Sequence, residues 1–158
     1  MTATAVEPCG GQLPLLAEDI RDDLSLRILR TPRASGAPVP GYEARWVERC
    51  RRIGAAKLRH WSMPGLIENA QLLISELVTN ALRHGDGSSD TVVRFVITAD
   101  RLLIAVDDGS PGTARVRDAG VGDETGRGML LVAAFATQWG VSPDGSTTWC
   151  SLAVEGAT

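Results

Sequence analysis

"TVVRFVITADRLLIAVDDG", Thr91 to Gly109, contains two apolar runs separated by a tight connection through Ala99, Asp100 and Arg101. Each run is rich in β-branched and aliphatic residues, so the stretch predicts two strands, "TVVRFVIT" and "RLLIAVDD". A connection this short joins antiparallel neighbours, because parallel strands need a long crossover. In the second run Leu102, Ile104 and Val106 share one face. Extending that period by one step places Asp108, rather than Asp107, on the same inward side. A carboxylate at the end of a core-facing row is costly unless it has a partner. Gly109, Pro111 and Gly112 then bend the chain and keep side chains out of the space in front of it. The pattern fits the rim of a ligand pocket; taken alone, it fits a solvated turn as well.

Just upstream, "SELVTNALRHG" (Ser75–Gly85) belongs to a helix expected from about Pro64 to His84. Proline is well tolerated near a first helical turn. Leu77, Val78, Ala81 and Leu82 form the apolar side. Glu76, Asn80 and His84 recur at i, i+4 and i+8, stacking a carboxylate, an amide and an imidazole along the other side. An earlier helix, from Tyr42 to about His60, sets Trp46, Val47, Cys50, Ile53, Gly54 and Leu58 against Arg45, Arg49, Arg51, Arg52, Lys57 and Arg59. That basic face is either solvated or a surface for a protein partner.

Further out, "LSLRILR" (Leu24–Arg30) alternates and predicts a first strand, followed by the breaker cluster "TPRASGAPVPG". Residues 1–23, with Pro8, Gly10, Gly11 and Pro14, are expected to form a flexible leader, leaving 24–158 as one domain. After Asp108 a glycine-rich loop is expected to about Gly126. An apolar helix, "RGMLLVAAFA", and a hairpin of "TQWGV" and "TTWCSLAVE" come next. The order β-α-α-β-β-loop-α-β-β predicts an α+β fold: a two-layer α/β sandwich with a mixed, mostly antiparallel sheet and helices on one face.

Composition sets outer bounds. The 158 residues, 44% of them hydrophobic, give one domain enough core to need no staples. A net charge of −3 argues against a nucleic-acid binder, and 4% aromatics leave little for base stacking. Cys9, Cys50 and Cys150 show neither metal nor disulfide spacing and suit a reducing cytoplasm, with Cys50 and Cys150 as small apolar fillers. The longest apolar run, Met129–Ala136, has eight residues, too few to cross a membrane. No secretory signal is read at the N-terminus.

The chemistry gathers at three places. Gly126 and Gly128 flank Arg127 just ahead of the apolar helix. Glycines at a helix entrance expose backbone N–H groups which, with the helix dipole, favour phosphate. Arg127 can add a forked contact to a phosphoryl oxygen. The same residues also make an ordinary loop-to-helix junction. With a phosphate pocket nearby, Asn80 offers an oxygen to Mg2+, an ion that keeps several waters and takes few protein ligands. Glu76, one turn earlier, can accept a proton from a hydroxyl or water. His84 is assigned a hydrogen bond at the helix end.

Taken together, "ELVTNALRHG" from Glu76, "VDDGSPG" from Val106, "TGRGMLL" from Thr125 and "GSTTW" from Gly145 stand in a familiar order and spacing. They match the N, G1, G2 and final boxes of the Bergerat-fold (GHKL, HATPase) ATPases. More closely, over roughly residues 24–155, the chain resembles the small anti-sigma-factor serine/threonine kinases (RsbW-like) of actinobacteria. The resemblance implies ATP and Mg2+ bound between the N-box helix and a mobile loop. It implies that Asp108 receives the adenine amino group, that Asn80 coordinates Mg2+, and that Glu76 is general base toward a protein hydroxyl. Arg127 is expected to be the second catalytic residue; Ser110, Gly112, Gly126, Arg127, Gly128, Met129 and Thr147 complete the implied ATP site. The implied activity is that of a regulatory kinase and anti-sigma factor in transcription control, phosphorylating a STAS-domain anti-anti-sigma partner, and the resemblance suggests a homodimer. The alternative is a nucleotide-responsive module that sequesters a sigma factor or another regulator with little turnover. One departure stands out: the G1 box usually reads D-x-G-x-G, and Ser110 occupies a usual glycine position.

Overall fold

The computed structural model describes residues 4–5, 20–34, 37–84, 87–109 and 124–154, with 4–5 and 124–129 defined by backbone alone. Strand β1 (Thr4–Ala5) and strand β2 (Ile20–Ile28) precede helix α1 (Gly41–His60). A 3-10 turn at Pro64–Leu66 leads into helix α2 (Ile67–His84). Strands β3 (Thr91–Thr98) and β4 (Arg101–Asp107), helix α3 (Glu124–Phe135), and strands β5 (Gln138–Val141) and β6 (Thr147–Ala153) follow.

The sheet runs β1-β5-β6-β4-β3-β2. The five longer strands pair antiparallel, and β1 adds parallel to β5. One row of inward side chains crosses those five strands in register: Leu24, Phe95, Ile104, Cys150 and Trp139. Cys50 and Leu58 of α1, Leu73, Ile74, Leu77 and Val78 of α2, and Val132 of α3 pack in the same buried cluster. All three helices therefore contribute to one face of the sheet, the expected α+β sandwich. Cys50 and Cys150 are free and fully buried, and burial pushes the Cys50 thiol up to about 12, so both act as apolar filler.

The opposite face carries a second, smaller cluster of Val96, Leu103, Ala105 and Trp149, with Ile20 against it. This burial of both faces accounts for the unbroken runs "LLIAV" and "TTWCSLA", where a strand wetted on one side would alternate.

The sequence reading and the structure differ at three boundaries. Strand β2 begins at Ile20 rather than Leu24, inside the expected leader. Its inward position at Asp22 is polar, which hides the alternation, but that carboxylate is satisfied. Trp61 Nε1 donates to Asp22 Oδ2 over 2.8 Å, and Lys57 Nζ lies 2.9 Å from the same oxygen. The two-residue β1 also falls in that leader, too short to leave a pattern. Finally, α3 starts at Glu124, ahead of the expected Arg127, so Gly126 and Gly128 lie inside its first turns. Glycine weakens a helix by roughly 1 kcal/mol against alanine, which is why the glycine pair suggests loop.

The Asp22 clamp ties the C-terminal end of α1 to the edge strand and predicts a pH dependence. The Trp61 hydrogen bond first, then Lys57, holds its carboxyl below the usual carboxylate range. A lowered folded-state pKa gives stability that is complete above the unfolded pKa, near 4, and is lost as pH falls through the lower folded value. Asp22→Asn should therefore cost about 1 kcal/mol at pH 7. In urea titrations that difference should shrink steadily below about pH 4.

Gly87 shows how tightly the end of α2 is seated. Its φ is +84°, and a Cβ there would lie 2.2 Å from the carbonyl oxygen of Thr31. Neither the left-handed backbone nor the contact with main chain can relax cheaply. Gly87→Ala should lower stability by at least about 2 kcal/mol, seen as a fall in the urea midpoint with an unchanged slope.

Candidate functional site

Helix α2 buries Ala70, Leu73, Ile74, Leu77, Val78, Ala81 and Leu82. That leaves Glu76 and Asn80 half-buried on one flank and His84 exposed at the end. The stripe expected from the i, i+4, i+8 spacing is therefore present, with two members at the edge of the core rather than in open solvent.

Strand β4 delivers the second part. Leu102, Ile104 and Val106 are all buried in the main core, and Asp108 continues that row with 3% exposure. Asp107 has the other task. It is half-buried, and its Oδ1 accepts the Gly109 N–H at 2.8 Å, which closes the local turn. Period-two counting thus separated two adjacent aspartates correctly.

The register brings these parts to one end of the sheet. Asp107 pairs with Val92 of β3 on one side and with Thr147 of β6 on the other. The Asp108 N–H donates to the Ser146 carbonyl at 3.0 Å, so the start of β6 and Asp108 are fastened together. Gly109, at φ +71°, passes so close to the loop after α2 that a Cβ would lie 2.6 Å from Ser89 Cβ. Asp108 and Thr147 therefore share the end of the sheet at which α2 finishes and β3 begins. Helix α3 packs against α2. It ends just before β5, whose first residue pairs with Ser151, toward the far end of β6.

Gly126, Arg127, Gly128 and Met129 lie in the first turns of α3, and their side chains fall outside the described residues, as do Ser110 and Gly112 entirely. A helix start leaves N–H groups unpaired within the helix whether or not a glycine loop precedes it. Among the described residues no group of three His, Cys, Asp or Glu side chains is placed to hold a metal ion.

Sequence reasoning missed a buried polar knot beneath this site. Arg30, just beyond β2, has a fully buried side chain, as does Glu43 in the first turn of α1. Arg30 Nε donates to Glu43 Oε1, Nη1 to Thr91 Oγ1 at 3.1 Å, and Nη2 to the Leu82 carbonyl at 2.9 Å. Arg33 Nη2 donates to the same carbonyl at 2.6 Å and to that of Arg83 at 3.2 Å. These partners are 13 to 61 residues from Arg30 in the chain, so no local pattern announces them.

Residues 43–152, from the first turn of α1 to β6, match the model of the histidine kinase-like ATPase domain. The chain belongs to the histidine kinase-like ATPase family. The matched span includes every candidate residue named above. A relative in Streptomyces coelicolor, an uncharacterized protein, is 35% identical over 75 residues, which cover 46% of this chain and 71% of that protein. Membership in this ATPase family supports an ATP-binding regulatory role. Among the described residues of the ATPase domain, no helix is long and apolar enough to cross a membrane.

Proposed function

We propose that this ATPase-family chain is a Mg2+-dependent serine/threonine protein kinase and cytoplasmic anti-sigma factor whose substrate is a hydroxyl on a STAS-type anti-anti-sigma protein. The observation that carries the reading is the buried Asp108 at the end of β4, at the end of the sheet where α2, with its Glu76–Asn80 stripe, finishes. The donor set fits ATP with Mg2+. A buried carboxylate suits an adenine amino group. A half-buried amide oxygen suits an ion that takes most of its other ligands from phosphate and water.

In this reading Asp108 accepts a hydrogen bond from the base, and Thr147 lies beside it at the same end of the sheet. Asn80 turns its amide oxygen to the ion. The N-terminal turns of α3, with Gly126, Arg127, Gly128 and Met129, serve the phosphates together with Ser110 and Gly112. Glu76 takes the proton of the attacking hydroxyl, and Arg127 offsets charge on the moving phosphoryl group. Bound ATP supplies the phosphoryl group itself. What the protein adds is positioning and charge neutralisation, the two requirements of phosphoryl transfer.

The test is incubation with labelled ATP, Mg2+ and a STAS-domain protein, beside calorimetry of ATP binding. Label on a serine or threonine of the partner supports the kinase. Absence of Mg2+-dependent ATP binding overturns the reading. Binding without transfer leaves the nucleotide-responsive sequestering module.

A further inference from the structure

Resting on that nucleotide-site reading, we propose that Arg30 is a positioning residue for the metal-binding end of the site, setting Asn80 against Asp108 through the last turn of α2. The final carbonyls of a helix have no partner within it and carry the negative end of its dipole. In α2 the Leu82 carbonyl receives N–H groups from both Arg30 and Arg33. Leu82 is two residues beyond Asn80, so a shift of this carbonyl moves Asn80 with it. The same guanidinium is fixed to the sheet, because Nη1 donates to Thr91 Oγ1; separately, the main-chain N–H of Arg30 donates to Asp90 Oδ1 at 3.1 Å. Thr91 opens β3, whose next residue, Val92, pairs with Asp107. One side chain thus spans the gap between the helix that carries Asn80 and the strand pair that ends in Asp108.

Only arginine fits this role. Its planar fork reaches three acceptors among the described residues, and the Glu43 carboxylate offsets the charge that burial would otherwise make prohibitive. Among the described residues Glu43 Oε2 has no hydrogen-bond partner, and Oε1 accepts from Arg30 Nε. Lysine keeps the charge but is a point donor on a flexible stem, and cannot hold helix, strand and carboxylate together.

The experiment compares wild type, Arg30→Lys and Thr91→Val by calorimetry, titrating ATP with Mg2+ and again with chelator, alongside circular dichroism and thermal melts. An ångström of misplacement at a site of this kind is a large effect. Arg30→Lys should weaken Mg2+–ATP binding about tenfold and leave metal-free ATP binding within about twofold, erasing the gain from Mg2+. Thr91→Val, which removes one hydrogen bond at near-constant shape, should shift in the same direction by about threefold. A folded Arg30→Lys with an undiminished Mg2+ gain overturns the proposal. So does a loss equal in the two conditions, since that is the mark of a merely structural residue. If Arg30→Lys does not fold, Thr91→Val decides by the same criterion. Wild type that binds no Mg2+–ATP removes the parent reading and this one together, whereas wild-type binding with unaltered variants removes this one alone.

Discussion

Asp108→Asn should lower ATP affinity roughly 30- to 150-fold, about 2–3 kcal/mol, the scale of a hydrogen bond to a charged acceptor. The substitution preserves shape, so packing at the end of β4 changes little. Its backbone anchor, the N–H to the Ser146 carbonyl, does not involve the side chain. The Asp107 turn that follows also remains, because Asp107 Oδ1 rather than Asp108 holds the Gly109 N–H. What changes is the acceptor. With 3% exposure, little water can compensate for the lost charge, and a side-chain NH2 now competes to face the base. Calorimetry with ATP and Mg2+ reads the change, and an equal loss for GTP would be inconsistent with adenine recognition. Affinity within twofold of wild type, in a variant with an unaltered melt, would move base recognition elsewhere.

Legibility from sequence followed the range of the interaction. The Asp107–Asp108 pair was readable because period-two geometry is local: three apolar residues fix the inward side and the fourth step inherits it. The α2 stripe was readable for the same reason with a period of 3.6. The chain before Leu24 was not. In β2 the inward Asp22 breaks the apolar rhythm, and its compensation comes from Lys57 in α1 and Trp61 just beyond it, invisible to any short window. The start of α3 was obscured by Gly126 and Gly128, whose low helix propensity is outweighed in the fold. The Arg30–Glu43 knot had no signal at all. Arg30 sits beside a breaker cluster, and Glu43 reads as an ordinary acidic residue in a helix's first turn. Only the sheet register and the packing of α1 on α2 bring them together. The general form is that chemistry borne by one element is legible, while the scaffold that fixes two elements to each other is not.

Under the proposed kinase function, Glu76→Gln should cut phosphoryl transfer to a STAS-domain protein by about 10²- to 10⁴-fold while Mg2+–ATP affinity stays within about twofold. Glutamine keeps the length and the hydrogen-bonding reach of the side chain and loses only the ability to take a proton, which isolates general-base function. Position favours that role. Glu76 stands one turn before Asn80 on the same flank of α2, half-buried rather than solvated, while Leu77 and Val78 behind it are fully packed and fix the helix against the sheet. A carboxylate in that setting keeps its placement when neutralised, so the variant should fold and bind. Asn80→Ala provides the contrast: losing the proposed ion ligand should weaken Mg2+-dependent binding and transfer together, whereas Glu76→Gln should leave the Mg2+ requirement of the residual activity unchanged. Single-turnover transfer from labelled ATP to a STAS-domain protein separates the two. If Glu76→Gln transfers at the wild-type rate, Glu76 takes no proton in the reaction. If it loses binding along with transfer, its role is in holding the nucleotide, and the base must be sought on another element.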